Sequence, residues 1–523
     1  MSTYQGSRGS TRPGRRSRWL LAGGLVAGSL VVGAAGLTAV TASAADRDPA
    51  APNPGQPAAM FQDDVPGVDE TPHRRGQDRQ RPEWRHDSGA TPDGQGSATG
   101  RSRGHHGRAP DDTVVPVPCD SARLIAALVR ANAEGGATLR LAEKCTYTLT
   151  HAFQQPDEYD GGIRDAREAA DAAENPGDAE APPRNPADDK AGLPVIYHGI
   201  TIEGSGATIA RGVNTPDFRF FTVRDGGELT LRDVTLRNGR SAAEGGSIHI
   251  VHGATAVVEG VTVVGSTSLS AEGGGGAIFN DGNLRISDSK LIGNRAAGTQ
   301  GKGGGLLNGG VMTMHGTEFR HNSAVSYGGG LANFRAAGDV YSSTFVQNNA
   351  GQGGGVASFS ARTKVFDTLV AQNSAEIGGG LANSDAVLVL RQLTVRDNVA
   401  TVKGGGISTF QGLLPVDDSV ISDNTTRGNG GGIHAERSNL LVRGSDVKGN
   451  AAVGKRSQGA GLFVTAGSTS LYRSHVIGNQ STVKAGGIQA ERAQVKIDDD
   501  SVVIENSPTN CAGSKVPVAH CFR

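Results

Sequence analysis

Asp397 and Asp423 occupy one position of a repeat about 25 residues long, each just before an asparagine, with Arg396 beside the first. Carboxylates on neighbouring turns can hold Ca²⁺ or share a proton, and an adjacent Arg completes a set suited to cleaving acidic polymers. The same acids at a solvated corner would only repel mildly. A second acidic column, Asp288, Asp367, Asp418 and Asp500, skips turns. Asp367 and Asp418 would stand roughly 10 Å apart at the spacing of stacked strands, which suits a solvated face or a turn acceptor. Asp498 to Asp500 is a further acidic group, which could gather Ca²⁺ but is expected to solubilise the C-terminal edge of the repeat. Phe334, Phe359 and Phe410 share another position, where rings can stack on sugar faces or on one another. His105-His106 lacks the further ligands a metal needs. No cofactor is implied, and Ca²⁺ enters only if the chain is an enzyme.

These residues need a scaffold that brings distant positions into columns, and the repeat supplies one. The last residue of each glycine-rich run falls at Ala277, Gly305, Gly330, Gly355, Gly380, Gly406, Gly432, Gly461 and Gly487, at intervals of 25 to 29 residues. Asn294, Asn322, Asn348, Asn373, Asn398, Asn424, Asn450, Asn479 and Asn506 keep the same register. Three residues before each Asn the position is apolar, as at Phe345, Val370 and Val395. Eight before it is apolar through Leu471, five before is hydroxylic except at Leu393, and two after is usually Ala. Columns of this kind mean coils of a solenoid, with like side chains stacked about 4.8 Å apart. Three short strands per coil are expected, alternation turning their apolar members into one continuous core. Glycine serves a corner requiring positive φ and close backbone approach, and Asn a second corner, where it tolerates left-handed φ and its amides form a ladder. The position two after the last glycine (Leu307, Ala332, Ala357, Ala382, Ser408) forms the outer face of the first strand, small and uncharged.

The repeat resembles that of polymorphic outer membrane proteins, through Gly275-Gly276-Ala277-Ile278 and the F-x-x-N stretches Phe319–Asn322 and Phe345–Asn348. More broadly it is similar to the pectate-lyase-like superfamily, which implies an all-β, right-handed parallel β-helix across residues 196–507. Family members with a C-terminal membrane barrel differ here, since the sequence ends at Arg523 with no barrel following, so an autotransporter mechanism is not implied.

A solenoid exposes its core at both ends and needs caps. Before the repeat, residues 114–150 carry Leu124, Ile125, Leu128 and Val129 on one face of an amphipathic helix, with Asp120 or Ser121 as N-cap and Gly135-Gly136 as stop. Residues 151–195 read as a mobile acidic loop, and 508–523 as a C-terminal cap. The two ends lie over about 50 Å apart, so Cys119, Cys145, Cys511 and Cys521 can pair only as Cys119–Cys145 and Cys511–Cys521.

Composition and charge narrow the function. Gly is 78 of 523 residues, aromatics are 4%, and the formal net charge is −1. No global positive field draws nucleic acid or an anionic membrane. The basic run Arg12–Arg18, the following apolar stretch and Ala42-Ser43-Ala44 form an expected signal peptide over 1–44. Arg15-Arg16 fits twin-arginine export only in part. Retained uncleaved, the roughly 20-residue apolar run would be the sole membrane anchor. Residues 45–113 read as a disordered linker. The expectation is a secreted or surface-tethered β-helix whose partner is extracellular polysaccharide or a cell-envelope component, in a binding role. A polysaccharide lyase or glycoside hydrolase, with Asp397, Asp423 and Arg396 as its catalytic candidates, is the alternative.

Overall fold

The computed structural model describes residues 114–154 and 190–521. The stretches expected to be a signal peptide and a linker, and most of the one expected to be an acidic loop, therefore lie outside the described residues. Within them the chain winds into a right-handed parallel β-helix of about 14 turns.

One coil shows how sequence becomes layer. Its first strand is Leu331–Phe334, its second Ala337–Tyr341, its third Thr344–Val346 and its fourth Asn349–Gln352. All pair parallel and in register with the next coil: Leu331 with Val356, Val340 with Val365, Phe345 with Val370 and Asn349 with Ser374. The first three join a 33-stranded sheet, and the fourth builds a separate 11-stranded one. The sequence predicts three strands per coil, and the fourth is the difference. Most fourth strands hold too few residues to show alternation, and their alanines, among them Ala296, Ala324 and Ala350, form a small buried cluster of their own.

Inward alternation holds throughout. Leu331, Val340, Phe345, Val356, Val365 and Val370 are all fully buried in one core that runs the length of the helix. Phe319 and Phe345, on adjacent coils, stack at 4.7 Å. In-register stacking makes every coil bury its apolar column on its neighbours, so no coil holds a complete core alone.

The glycine run Gly353–Gly355 does three separate jobs. Gly353 has φ +65, a conformation costly to most side chains. At Gly354 an added Cβ would sit 2.4 Å from Gly379 O and 2.5 Å from Ser374 O, backbone of the next coil's glycine run and fourth strand. At Gly355 it would crowd Gly380 O at 2.9 Å and Val370 Cγ1 at 3.1 Å.

The asparagine corner differs from expectation in one respect. The asparagines are not left-handed; the residue before each one is, as at Gln347, Gln372, Asp397 and Asp423, with φ of 55 to 57. The Asn turns inward as a rung. Asn373 Oδ1 accepts from both Asn348 N (2.9 Å) and Asn348 Nδ2 (3.0 Å), and Asn348 Nδ2 also donates to Phe319 O. The chain of bonds continues from Asn294 to Asn506 and ends on Asn510. The hydroxylic column does similar work, Ser343 Oγ accepting from Thr317 N and donating to Tyr341 O. A second ladder, Asn280–Asn308–Asn333, runs along the first strands.

Both ends are capped. The helix Ser121–Ala133 begins at Asp120, whose carboxylate accepts from Arg123 N. It buries Leu124, Leu128, Ala131 and Asn132, while Val129 is turned outward, 37% exposed. Asn132 takes the inward place because its amide bonds Val195 O and Tyr197 N. Cys119–Cys145 fastens this cap and Cys511–Cys521 the other. Asp498 of the acidic triplet accepts from Arg473 N and Ser501 Oγ, which makes it a turn acceptor at the C-terminal edge.

Candidate functional site

The first strands stack into a flat ribbon, and three parallel columns on its outer side form a groove. The floor is the position two after the last glycine: His249, Phe279, Leu307, Ala332, Ala357, Ala382, Ser408, His434, Phe463 and Gln489, joined coil to coil in register. One wall is the residue before each left-handed glycine: Lys302, Tyr327, Gln352, Ile377, Lys403 and Asn429. The other is the end of the first strand: Phe334, Phe359, Ser384, Phe410 and Glu436.

The sequence predicts the floor as a small, outer face, and the structure buries it. Ala332, Ala357 and Ala382 are at most 5% exposed. The walls lean together over them: Tyr327 lies 5.3 Å from the Phe359 ring and Lys302 Nζ 5.3 Å from that of Phe334. Phe279, Leu307, Ala332 and Phe334 thus form a small second core outside the barrel. Small floor residues are what let the wall side chains lie flat across the ribbon.

The three predicted phenylalanines divide. Phe334 and Phe359 stack at 4.9 Å and 9°, with Phe334 only 9% exposed and Phe359 half-buried. Their mutual stacking is real, and Phe359 stays partly open to solvent. Phe410 stands three coils beyond Phe334, about 14 Å along the axis. Each ring group has cations against it. Lys302 and Arg335 approach Phe334, and Lys403 and Arg437 approach Phe410 at 6.0 and 5.9 Å. Burial pulls the Lys302 ammonium below its ordinary proton affinity, against the fields of Glu272 and Glu244. Lys403 Nζ also bonds Glu436 Oε2 at 2.8 Å. Burial alone would raise Glu436, but that hydrogen bond and charge, with His434 and Arg437 adding, hold its carboxyl below the usual range.

Behind Glu436 lies His434, 4% exposed and stacked on Phe463 at 5.3 Å and 13°. Burial, reinforced by Lys403 and opposed by Glu436, lowers it to about 3. The unfolded chain takes up this proton below about 6.5 while the folded chain does not, so stability is complete above that pH and falls as pH drops toward 3. Each pH unit in that window costs up to about 1.4 kcal/mol for one such histidine. Thermal melts between pH 7 and 4 should therefore show a steep acid limb, and His434→Phe, which keeps a ring against Phe463, should flatten it. An unchanged slope in that variant counts against the buried neutral imidazole.

Asp397 and Asp423 stand on adjacent coils, as expected, but on the asparagine corner, away from this groove. Both are exposed, Asp397 paired with Arg396 at 2.5 Å and Asp423 lying over Gly449. The shared property of their column is positive φ, which Asp adopts more readily than most residues. Asp288, Asp367 and Asp418 likewise sit at left-handed corners, Asp367 accepting from Ser342 Oγ. On the fourth-strand face a groove of about 570 Å³ is floored by Ala296, Ala324, Ala350 and Ala375 and edged by Ser323, Asn349 and Thr401.

Sequence reasoning missed the wall that precedes the glycines, because its members share no chemistry. The signal was positional: one residue before each run. His249 and His434 belong to the floor column and were findable by extending it past Leu307 and Ser408 in both directions.

No protein-family model and no curated protein matches the chain. Among solved structures it is similar to tailspike protein 3 of bacteriophage CBA120, at 13% identity over 75% of this chain and 59% of that one, with a TM-score of 0.39. It is also similar to PfbA, a surface adhesin of Streptococcus pneumoniae, at 10% identity over 74% of this chain and 91% of that one, with a TM-score of 0.35. The A-module of the mannuronan C-5 epimerase AlgE6 from Azotobacter vinelandii shows 13% identity over 74% and 97%, with a TM-score of 0.31. The chain spans less than two thirds of the tailspike's length.

Proposed function

We propose that this protein is an exported or cell-surface β-helix that binds extracellular or cell-envelope polysaccharide along the first-strand groove. The observation that carries this reading is the recurrence of half-buried rings on one side of the molecule, at Tyr327–Phe359, beside a Phe334 that carries Lys302 and Arg335, and again at Phe410, which carries Lys403 and Arg437. A sugar ring offers an apolar C–H face and a rim of hydroxyls, so an aromatic platform beside charged hydrogen-bond donors suits it. A linear ribbon of repeated layers suits a linear polymer, which meets the same surface at each step. Two disulfides and the expected signal peptide fit an oxidising compartment.

A glycan-array screen of the purified chain tests this directly. Phe359→Ala and Phe410→Ala should each weaken binding to any captured glycan about tenfold, the loss of roughly 1.4 kcal/mol of ring contact. Binding that ignores both substitutions, or no captured glycan at all, would remove the groove from consideration.

A further inference from the structure

The fourth-strand face carries cations of its own, away from the first-strand rings. The strand Gly199–Arg211 ends on an arginine where the chain reaches the asparagine corner. One coil on, the short fourth strand Arg240–Ser241 buries Ser241 and turns Arg240 outward. Arg240 pairs in register with Thr267, and Thr267 with Arg295. Arg211, Val213, Asn214, Asn238, Arg240 and Thr267 line a cavity of about 250 Å³. It adjoins the fourth-strand groove, because Arg295, the rung after Thr267, is where that groove begins.

Hydrogen bonds within the wall hold this cavity in shape. Arg211 Nη1 donates to Thr215 O at 2.8 Å and to Thr215 Oγ1 at 2.9 Å, and Arg211 Nε donates to Asn238 O at 2.9 Å. These bonds, with a longer one to Pro216 O, leave Arg211 Nη2 without a partner among the described residues. Arg240 Nε meets Asp217 Oδ1 at 2.8 Å. Gly265, left-handed at φ +67, leaves room for the Asn238 amide, since a Cβ there would lie 3.0 Å from Asn238 Oδ1. Two guanidiniums thus share one carboxylate. Burial lowers the proton affinity of Arg211, the Asp217 charge opposing and the Arg240 charge adding to the fall. Arg295, exposed, has no ion-pair partner among the described residues and extends the positive line. Like charges fixed at the edge of one cavity are complementary to an anion seated between them.

We propose that this cavity seats the carboxylate or sulfate group of an acidic glycan, whose chain runs on past Arg295 along the fourth-strand groove. The site lies on a different face from the first-strand groove and does not depend on it. A guanidinium presents paired N–H donors to an oxyanion, and here two of them flank one space, with the Thr267 hydroxyl and the Asn238 amide beside it. The cavity is smaller than the roughly 300–1,000 Å³ that drug-sized ligands occupy, which suits a single sugar residue and its anionic group. Beyond Arg295, Ser323, Asn349 and Ser374 follow on successive coils in register, offering hydroxyls and an amide to a chain rich in hydroxyls. No aromatic ring lines the cavity or the groove among the described residues, so neither supplies the stacking platform that single-stranded nucleic acid uses.

The full chain should be titrated at low ionic strength with two matched pairs of polymers, polygalacturonate against its methyl ester and dextran sulfate against dextran. At least one charged polymer should bind about tenfold or more tighter than its neutral partner, and the pair that shows this preference tells carboxylate from sulfate. Arg211→Gln and Arg240→Gln should each remove most of the preference, and Arg295→Gln should lower it about threefold, with the melting temperature unchanged. If Arg211→Gln fails to fold for want of its bonds to Thr215, Arg240→Gln and Arg295→Gln carry the test. Phe359→Ala should leave the preference intact, so a failure of the first-strand groove and a failure of this cavity read out separately. Arg285→Gln, which removes an exposed arginine from a second strand, should also leave it intact. A charged polymer bound no better than its neutral partner, a preference that survives Arg240→Gln and Arg295→Gln, or one that Arg285→Gln lowers as far overturns the site. Single-stranded DNA held as tightly as the favoured polymer through the same arginines overturns the assignment to a glycan.

Discussion

Val370→Asp should abolish folding of the β-helix under conditions in which the wild-type chain is stable. Val370 is fully buried in a third strand, in register between Phe345 on one coil and Val395 on the next. A carboxylate there would have no cation or donor within a column of Phe, Val and Val side chains. Burying an unpaired charge falls among the few mechanisms that exceed about 4–5 kcal/mol, against a total stability of roughly 5–15 kcal/mol. Neighbouring coils share the damage, because each is stable only through its interfaces. Val387→Asp is the matching control: Val387 begins a second strand and is 37% exposed, so its loss should stay below about 1 kcal/mol. Soluble yield and urea unfolding followed by circular dichroism report both. A Val370→Asp protein that unfolds at the control's midpoint would contradict the stacked core.

Asn373→Leu should cost roughly 3–5 kcal/mol, though the replacement is apolar and similar in size, because it leaves two or three buried groups unpaired. Asn373 Oδ1 is the acceptor for Asn348 N, and Asn373 Nδ2 donates to Phe345 O at 2.9 Å and to Asn398 Oδ1 at 3.0 Å. Removing the rung orphans an amide N–H and a carbonyl at a corner that water does not reach. Asn349→Leu, on the preceding coil next to Asn348 but exposed, should change stability by less than about 1 kcal/mol. Hydrogen exchange gives a local readout: the Asn348 N–H should lose protection in Asn373→Leu and keep it in Asn349→Leu. A global loss under 1 kcal/mol with Asn348 still protected would show that the ladder is not needed.

Much of the fold was legible in the residues, and the reasons are particular. Val340, Val365 and Leu390 recur eight positions before Asn348, Asn373 and Asn398, so the same count that finds the repeat also orders the core. Pairing in register follows, because a slip of one residue would turn Val365 outward and Lys364 inward. Cysteine pairing was legible too, from the length of the solenoid alone. The fourth strand escaped notice because Asn349–Gln352 carries a single buried alanine and no alternation. The left-handed residue was assigned to Asn in place of its predecessor, since Asn and Asp both tolerate that conformation and the column before Asn varies from Gln to Asp to Gly.

The sites were less legible. Asp397 and Asp423 were drawn together by register, and register did place them on adjacent coils; it could not show that they face the asparagine corner. Phe359 and Phe410 were identified from a column of like residues. Tyr327 and Lys403 were not, because each differs from its neighbours above and below.

The sequence by itself determined the coil, its period, the inward columns and the pairing of the caps, since each depends on repetition, and repetition is visible without coordinates. Only the tertiary structure decided which unlike residues meet. Lys302 reaches Phe334 and Lys403 reaches Glu436 because the coils bring the ends of two different segments over one strand. That proximity depends on the path of the backbone between columns, which no single column records.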